Sequence, residues 1–301
     1  MQIRNWLPFL GMPLMLLFVQ IVAIILVMPM QAVGLVAFED PESVANPLIF
    51  IGLLLVFTVI LLIMIRLGGR RVIAVFIGFA LFMTFVYIFG ALFSFTHGAT
   101  AATAAAALIG AGAATALLYL YPEWYVIDTL GVLISAGIAS IFGISLAILP
   151  VLVLLVLLAV YDAISVYRTK HMITLAEGVL ETRAPIMVVV PKRTDYSFRK
   201  EGLQIAEGEE RGAFVMGMGD LIMPSILVVS SHVFVDAPPA IWGLSAPTLG
   251  AMIGSLAGFA VLLYFVNRGN PQAGLPPLNG GAIAGFLIGA ALAGSFGWLS
   301  L

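Results

Sequence analysis

Residues 213–235 read AFVMGMGDLIMPSILVVSSHVFV. The run is apolar and long enough to cross a bilayer as a helix, which takes about 20 residues. Inside it lies one carboxylate, Asp220, closing the run Gly217-Met218-Gly219-Asp220. An ionisable side chain at membrane depth is costly and marks a functional site by default. A second aspartate, Asp162, lies near the end of the preceding apolar run, VLVLLVLLAVYDAISVY. Two such residues on neighbouring helices suggest a shared acid–base site.

Composition supports a membrane setting for both. Of 301 residues, 62% are hydrophobic and 9% are charged, where a soluble domain is about a quarter charged. Mean hydropathy is +1.16. The expected class is an all-α integral membrane protein. The absence of cysteine removes disulfides, thiolate nucleophiles and cysteine metal sites. No basic, aromatic-rich patch points to nucleic acid. The apolar run after MQIRNW is longer than a signal-peptide core and lacks a clear A-x-A site, so it reads as a retained first helix.

Nine apolar spans follow from the same reading: residues 7–30, 47–65, 72–95, 101–120, 126–144, 146–167, 213–235, 241–266 and 277–301. Only Gly143-Ile144-Ser145 and Pro150 punctuate the fifth and sixth. Charge supports the split. With the N-terminus inside, Arg4, Arg66, Arg70, Arg71, Arg168, Lys170, Arg183, Lys192, Arg193, Arg199, Lys200, Arg211 and Arg268 all fall on the inner side, and these are all 13 basic residues. Glu39, Asp40 and Glu42 fall in the first outer loop. The positive-inside bias therefore favours nine transmembrane helices, N-terminus cytoplasmic, C-terminus outside. One membrane domain results, with helices 1–6 in residues 1–167, a cytoplasmic loop at 168–212 and helices 7–9 in 213–301. The loop carries a short apolar run at 184–190, APIMVVV, stopped by Pro191. It is too short to span and suits a strand, a plug against the helices or a buried patch of an ordered loop. No internal repeat is visible, which argues weakly against many transporter folds.

Depth links the two aspartates. Asp162 stands six residues before Arg168, or ~9 Å at ~1.5 Å per residue. Asp220 stands eight residues past Gly212, or ~12 Å from the same boundary. The sixth helix runs outward-to-inward and the seventh returns, so adjacent packing brings the pair together. Two close carboxylates in low dielectric do not both ionise readily and hold one proton between them. Such a dyad can bind a water. One member takes a proton from the water as it attacks a peptide carbonyl, and the protonated member donates to the carbonyl oxygen. Neither metal nor cofactor is called for. No HExxH, GxSxG or P-loop motif is present. His97, His171 and His232 lie near boundaries and read as structural or interfacial.

Plainer readings compete with this one. A lone aspartate near a helix end can snorkel or bond neighbouring backbone. No Lys or Arg lies within any span to neutralise either carboxylate. Gly217 and Gly219 either let an extended substrate backbone approach Asp220 or serve helix packing. Packing is the better reading for the repeats Gly250/Gly254/Gly258 and Gly281/Gly285/Gly289. Tyr161 is placed to hydrogen-bond or to pack in the site.

At these residues the chain resembles the presenilin and signal-peptide-peptidase family of intramembrane aspartyl proteases. The family carries YD in its sixth helix, GxGD in its seventh and PAL opening its ninth. Here these read Tyr161-Asp162, Gly217-Met218-Gly219-Asp220 and Pro276-Pro277-Leu278, the last departing from PAL at its middle residue. The basic residues favour the presenilin orientation over the inverted signal-peptide-peptidase one, and the short loops liken the chain to a compact prokaryotic, archaeal-type presenilin homologue. The resemblance implies a multi-pass protein of the cell membrane that cleaves single-pass membrane proteins inside the bilayer, with Asp162 and Asp220 as the catalytic pair. It implies that Leu275, Pro276, Pro277 and Leu278 shape the site and bind substrate beside Tyr161, Gly217, Met218 and Gly219. Accessory subunits or a homo-oligomer are compatible with it. Competing expectations are a prepilin-peptidase-like enzyme, which shares GxGD, a scaffold without turnover, and a proton-coupled transporter using the aspartates as a relay.

Overall fold

The computed structural model describes residues 7–67, 69–169, 187–193, 195–201, 212–266 and 272–299. Arg4, Lys170, His171, Arg183, Arg211, Arg268 and the first three residues of the 184–190 run lie outside these. Nine long helices follow in order among the described residues: α1 (Leu7–Ala32), α2 (Ala45–Leu67), α3 (Gly69–His97), α4 (Ala101–Leu120), α5 (Trp124–Ser145), α6 (Ile148–Ile164), α7 (Met218–Phe234), α8 (Ala246–Val266) and α9 (Leu275–Ala293). A π-helical turn, Ser165–Thr169, extends α6. Eight of the nine are long and apolar enough to cross a bilayer, α6 with its extension, while α7 is shorter at 17 residues. The chain breaks between α5 and α6 at Leu146 and Ala147, both extended. Pro150 then falls in the first turn of α6, where its missing N–H has no intrahelical partner to lose.

Three expected boundaries change, each for a local reason. Residues 213–235 are not one helix. Ala213–Gly217 form strand β2, antiparallel to β1 (Met187–Pro191), and the helix begins only at Met218. The eighth helix begins at Ala246 and not at 241, because β3 (Pro239–Ile241) pairs with β4 (Leu244–Ser245) across a tight turn. Trp242 and Gly243 take φ of 52° and 78° there, the left-handed pair that a two-residue hairpin turn requires. The ninth helix ends at Ala293 and not at 301. Gly294, at φ 65°, caps it by donating to the Ala290 and Ala291 carbonyls.

The bundle is organised around α7. Its residues from Leu221 to Ser231 are buried apart from Met223, and α1, α5, α6, α8 and α9 all pack against it. α2, by contrast, presents Leu48, Leu53, Val56 and Ile63 outward, the surface expected where the solvent is lipid. Buried polar side chains tie the helices. Gln20 Nε2 donates to Ser255 Oγ at 2.7 Å, Ser230 Oγ to the Leu146 carbonyl at 2.7 Å, and Ser231 Oγ to Thr248 Oγ1 at 3.3 Å. Each such bond is worth about 0.6 kcal/mol on average in a membrane. The most extensive contact joins α8 and α9. There Gly250, Gly254 and Gly258 face the backbone of Gly285, Gly281 and Pro277, with no room for a Cβ. The two glycine repeats thus serve close helix packing, and the third contact holds Pro277 directly against α8.

The described end of the 168–212 loop packs beneath α5. Tyr196 and Phe198 are buried, Ser197 Oγ donates to Glu123 at 2.8 Å, and Arg193 pairs with Glu201 at 2.9 Å. Burial, reinforced by the Glu201 and Glu123 charges, pushes the Tyr196 phenol up to about 12, so it stays protonated.

Candidate active site

Asp162 occupies the last turn of α6 and is 3% exposed. Its Oδ2 accepts the Leu275 N–H at 3.0 Å, and the Gly274 amide lies near the same carboxylate. The sequence of α9 accounts for the first bond. A helix start leaves its first-turn amides without intrahelical partners. Pro276 and Pro277 have none to offer, and the Leu278 amide turns back to the Gly274 carbonyl at 3.4 Å. Leu275 therefore presents the one orphan donor of residues 275–278, and Asp162 satisfies it.

Asp220 lies in the first turn of α7, at the end where the helix dipole is positive. Gly217 precedes the helix in extended conformation, φ −67° and ψ 140°. A Cβ at Gly217 or Gly219 would meet nothing within 4 Å, so both glycines leave open space beside Asp220. Pro224 stands four residues on and lacks the amide that would bond the Asp220 carbonyl. Met218 is buried instead, its Cε 2.9 Å from where a Cβ on Gly131 of α5 would lie.

The two carboxylates converge on one residue. A Cβ at Gly274 would lie 2.9 Å from Asp220 Oδ2 and 3.0 Å from Oδ1, while the Gly274 and Leu275 amides face Asp162. Leu278 is buried and Pro276 and Pro277 half-buried at the start of α9. Asn279 Nδ2 donates to the Leu155 carbonyl of α6 at 3.0 Å, and Tyr167 of the π-turn donates to Gln272 Oε1 at 2.8 Å. The first bond holds α9, and the second the segment leading into it, against the helix that carries Asp162 and its π-turn. Tyr161 is half-buried beside Asp162. His97 is exposed at the end of α3, bonded to Thr96. His232 lies in the last turn of α7, at the opposite end from Asp220. Among the described residues no group of three or more His, Asp or Glu is arranged to hold a metal ion.

Comparison with known families now adds to this geometry. The family model for signal-peptide peptidase and presenilin aspartyl protease matches residues 13–295. The chain belongs to this family. A solved structure of a presenilin family intramembrane aspartate protease, in space group C222, is 69% identical, with a TM-score of 0.73 over 95% of this chain and 100% of that one. A second, in space group P2, is 68% identical, with a TM-score of 0.73 over 96% and 100%. A comparison with curated proteins found no match. This presenilin-family chain is thus an intramembrane aspartate protease and a multi-pass integral membrane protein. Family membership decides for hydrolysis over proton-coupled transport.

Sequence reasoning overlooked three residues that the structure brings to the site. Gly274 lies against Asp220, and the Leu275 amide next to it bonds Asp162. Its only signal was a glycine directly before a proline-rich helix start. Pro224 stood four residues after Asp220, a spacing that frees a carbonyl. Asp128, inside the fifth apolar span, accepts the Val189 amide of β1 at 2.7 Å.

Proposed function

We propose that Asp162 and Asp220 form the catalytic dyad of an aspartic endopeptidase that hydrolyses peptide bonds in transmembrane segments of single-pass membrane proteins. The observation that carries this is the convergence of the two carboxylates, from α6 and α7, on the Gly274–Leu275 backbone. The dyad shares one proton and holds a water. The ionised aspartate accepts a proton as the water oxygen bonds the scissile carbon, and the protonated aspartate donates toward the carbonyl oxygen. The tetrahedral adduct then loses the amine, which leaves protonated by the dyad. The same proposal takes the chain as nine spans with a cytoplasmic N-terminus and an outer C-terminus, its 168–212 loop cytoplasmic, in the cell membrane.

A transmembrane substrate hides its scissile carbonyls in helical hydrogen bonds and must unwind before attack. The β1–β2 sheet suits the unwound form. Ladder bonds alternate along antiparallel strands. Lys192 N–H bonds the Gly212 carbonyl at 2.9 Å, so the Val190–Phe214 and Val188–Met216 pairs carry the inner bonds. The amides and carbonyls of Ala213, Val215 and Gly217 then point to the far edge of β2, where no further strand pairs among the described residues. That edge runs directly into Asp220. An extended segment added there would pass Gly217 and Gly219, reach the dyad and lie against the start of α9.

The test is cleavage of a single-pass membrane substrate by the purified protein in liposomes, with products mapped by mass spectrometry. Scission within the hydrophobic segment is expected. Hydrolysis confined to residues outside the bilayer would reject the reading. Val215→Pro tests strand addition separately. It removes an outward donor while sparing the β1 ladder, as proline does at sheet edges. Turnover is expected to fall about tenfold or more, the worth of one substrate hydrogen bond left unmade. Unchanged kcat/KM would remove β2 from substrate binding.

A further inference from the structure

We propose that Asp128 is a positioning residue that ties the β1–β2 sheet to α5, so that a braced β2 holds the substrate strand in one register and fixes the bond that is cut. The proposal deepens the reading of β2 as the substrate-binding edge and rests on it.

Asp128 lies in the second turn of α5 and is 4% exposed. Its Oδ1 accepts the Val189 N–H at 2.7 Å, and its Oδ2 is buried with no hydrogen-bond partner among the described residues. A buried carboxyl with one oxygen unmatched is unfavourable at this depth. An apolar side chain would avoid that cost but would leave the buried Val189 amide without its acceptor. The aspartate is thus accounted for by its contact with β1. Val189 stands opposite Val215 in a pair that exchanges no ladder bonds, so its amide points out of the sheet toward α5. The next outward position on that side is Pro191, which has no amide. Asp128 and Pro191 together close the outer edge of β1 over this stretch. Extension of the sheet is thereby confined to β2.

Two glycine notches complete the docking. Val190 Cγ1 sits 2.9 Å from where a Cβ on Gly11 of α1 would lie, and Met218 fills the notch at Gly131, three residues along α5 from Asp128. Residues at that spacing share a helix face. Asp128 and Gly131 therefore form one seat, the first for β1 and the second for the residue between the two glycines of the GxGD run. The hydrogen bond is the directional element of the seat, because apolar notches tolerate sliding and a single N–H···O contact does not. β2 runs straight into the helix of Asp220, so what is free to slip is the substrate strand on its far edge. A slip of one residue would turn every substrate side chain to the other face. The accessible error, once β1 no longer braces β2, is a slip of two, about 6.8 Å along the strand, which moves a different substrate bond to the dyad.

The experiment compares wild type, Asp128→Leu and Asp128→Asn in liposomes on one single-pass substrate, reading the product distribution by mass spectrometry along with kcat and KM. Asp128→Leu keeps the bulk and removes the acceptor. It is expected to fold, to spread cleavage over bonds two residues apart, and to lower kcat/KM about tenfold to a hundredfold, as misplacement near 1 Å does. Asp128→Asn retains an acceptor for Val189 and is expected to restore the wild-type distribution. If Asp128→Leu cannot be isolated, Val189→Pro removes the same bond from the donor side and predicts the same spread. An unchanged distribution in Asp128→Leu, at any rate, overturns the proposal and leaves Asp128 a packing residue. Val215→Pro reads the underlying strand-addition model independently. Full activity there sinks that model, whereas a wild-type cleavage pattern in Asp128→Leu with an inactive Val215→Pro sinks only the role of Asp128.

Discussion

Asp162→Asn and Asp220→Asn are each expected to lower cleavage by about 10²–10⁴-fold, the usual contribution of a positioned acid or base, with the fold intact. The amide is the informative substitution for a physical reason. Asp162 does more than titrate, because its Oδ2 accepts the Leu275 N–H. Asparagine keeps an acceptor for that amide and loses the capacity to take a proton from water. Alanine at the same place would orphan the first amide of α9 and cost about 1 kcal/mol of helix capping, which confuses chemistry with stability. Asp220 has no such second duty in the described contacts, and nothing within 4 Å limits its neighbours Gly217 and Gly219. The double variant should be no slower than either single one, since residues that act as a unit do not add. Purified variants with wild-type melting curves and elution volumes, assayed side by side in liposomes, decide it. Retention of more than about a tenth of wild-type turnover in either, well outside the expected loss, would dissolve the dyad.

Much of the candidate site was legible because membranes make ionisable residues conspicuous. Asp162 and Asp220 each interrupt an apolar run, and opposite helix directions from one boundary set them at similar depth. The glycine repeats of α8 and α9 were legible for a related reason, since four-residue spacing of small side chains has few uses besides close approach. What failed was the state of short apolar runs. Ala213–Gly217 is five residues long and continues straight into a helix, so neither period 2 nor period 3.6 has room to show. Its strand state depends on β1, with Met187 pairing Gly217 across a long loop. Trp242 hid the β3–β4 turn, because a tryptophan at positive φ is not a turn signal. Gly294 was one glycine among 31, and only its φ of 65° shows that it ends α9. Asp128 carries the same kind of signal as Asp162. Its partner is a backbone amide that only the fold of the loop supplies.

Substitution of Gly274 tests the same centre from the backbone side, with the second large effect. Gly274 has φ −77° and ψ −42°, which any residue adopts, so conformation does not demand glycine here. Space does. A Cβ would lie 2.9 Å from Asp220 Oδ2 and 3.0 Å from its Cγ, closer than carbon and a carboxylate rest. Gly274→Ala leaves two ways out. The Asp220 carboxylate rotates away, or the Gly274–Leu275 segment lifts and weakens its bond to Asp162. Either response breaks the shared geometry of the two aspartates, and a misplacement near 1 Å costs about 10²-fold in rate. Gly274→Val adds branches to the same collision and is expected to be inactive. Neither should unfold the protein, because α9 remains anchored through Asn279 to Leu155 and through its glycine contacts with α8. The informative comparison is with Gly280→Ala, one turn into α9, where a Cβ meets nothing within 4 Å and activity should stay at the wild-type level. If Gly274→Ala cleaves as fast as Gly280→Ala, the start of α9 does not lie between the carboxylates in the working enzyme, and the convergence that carries the catalytic assignment loses its force.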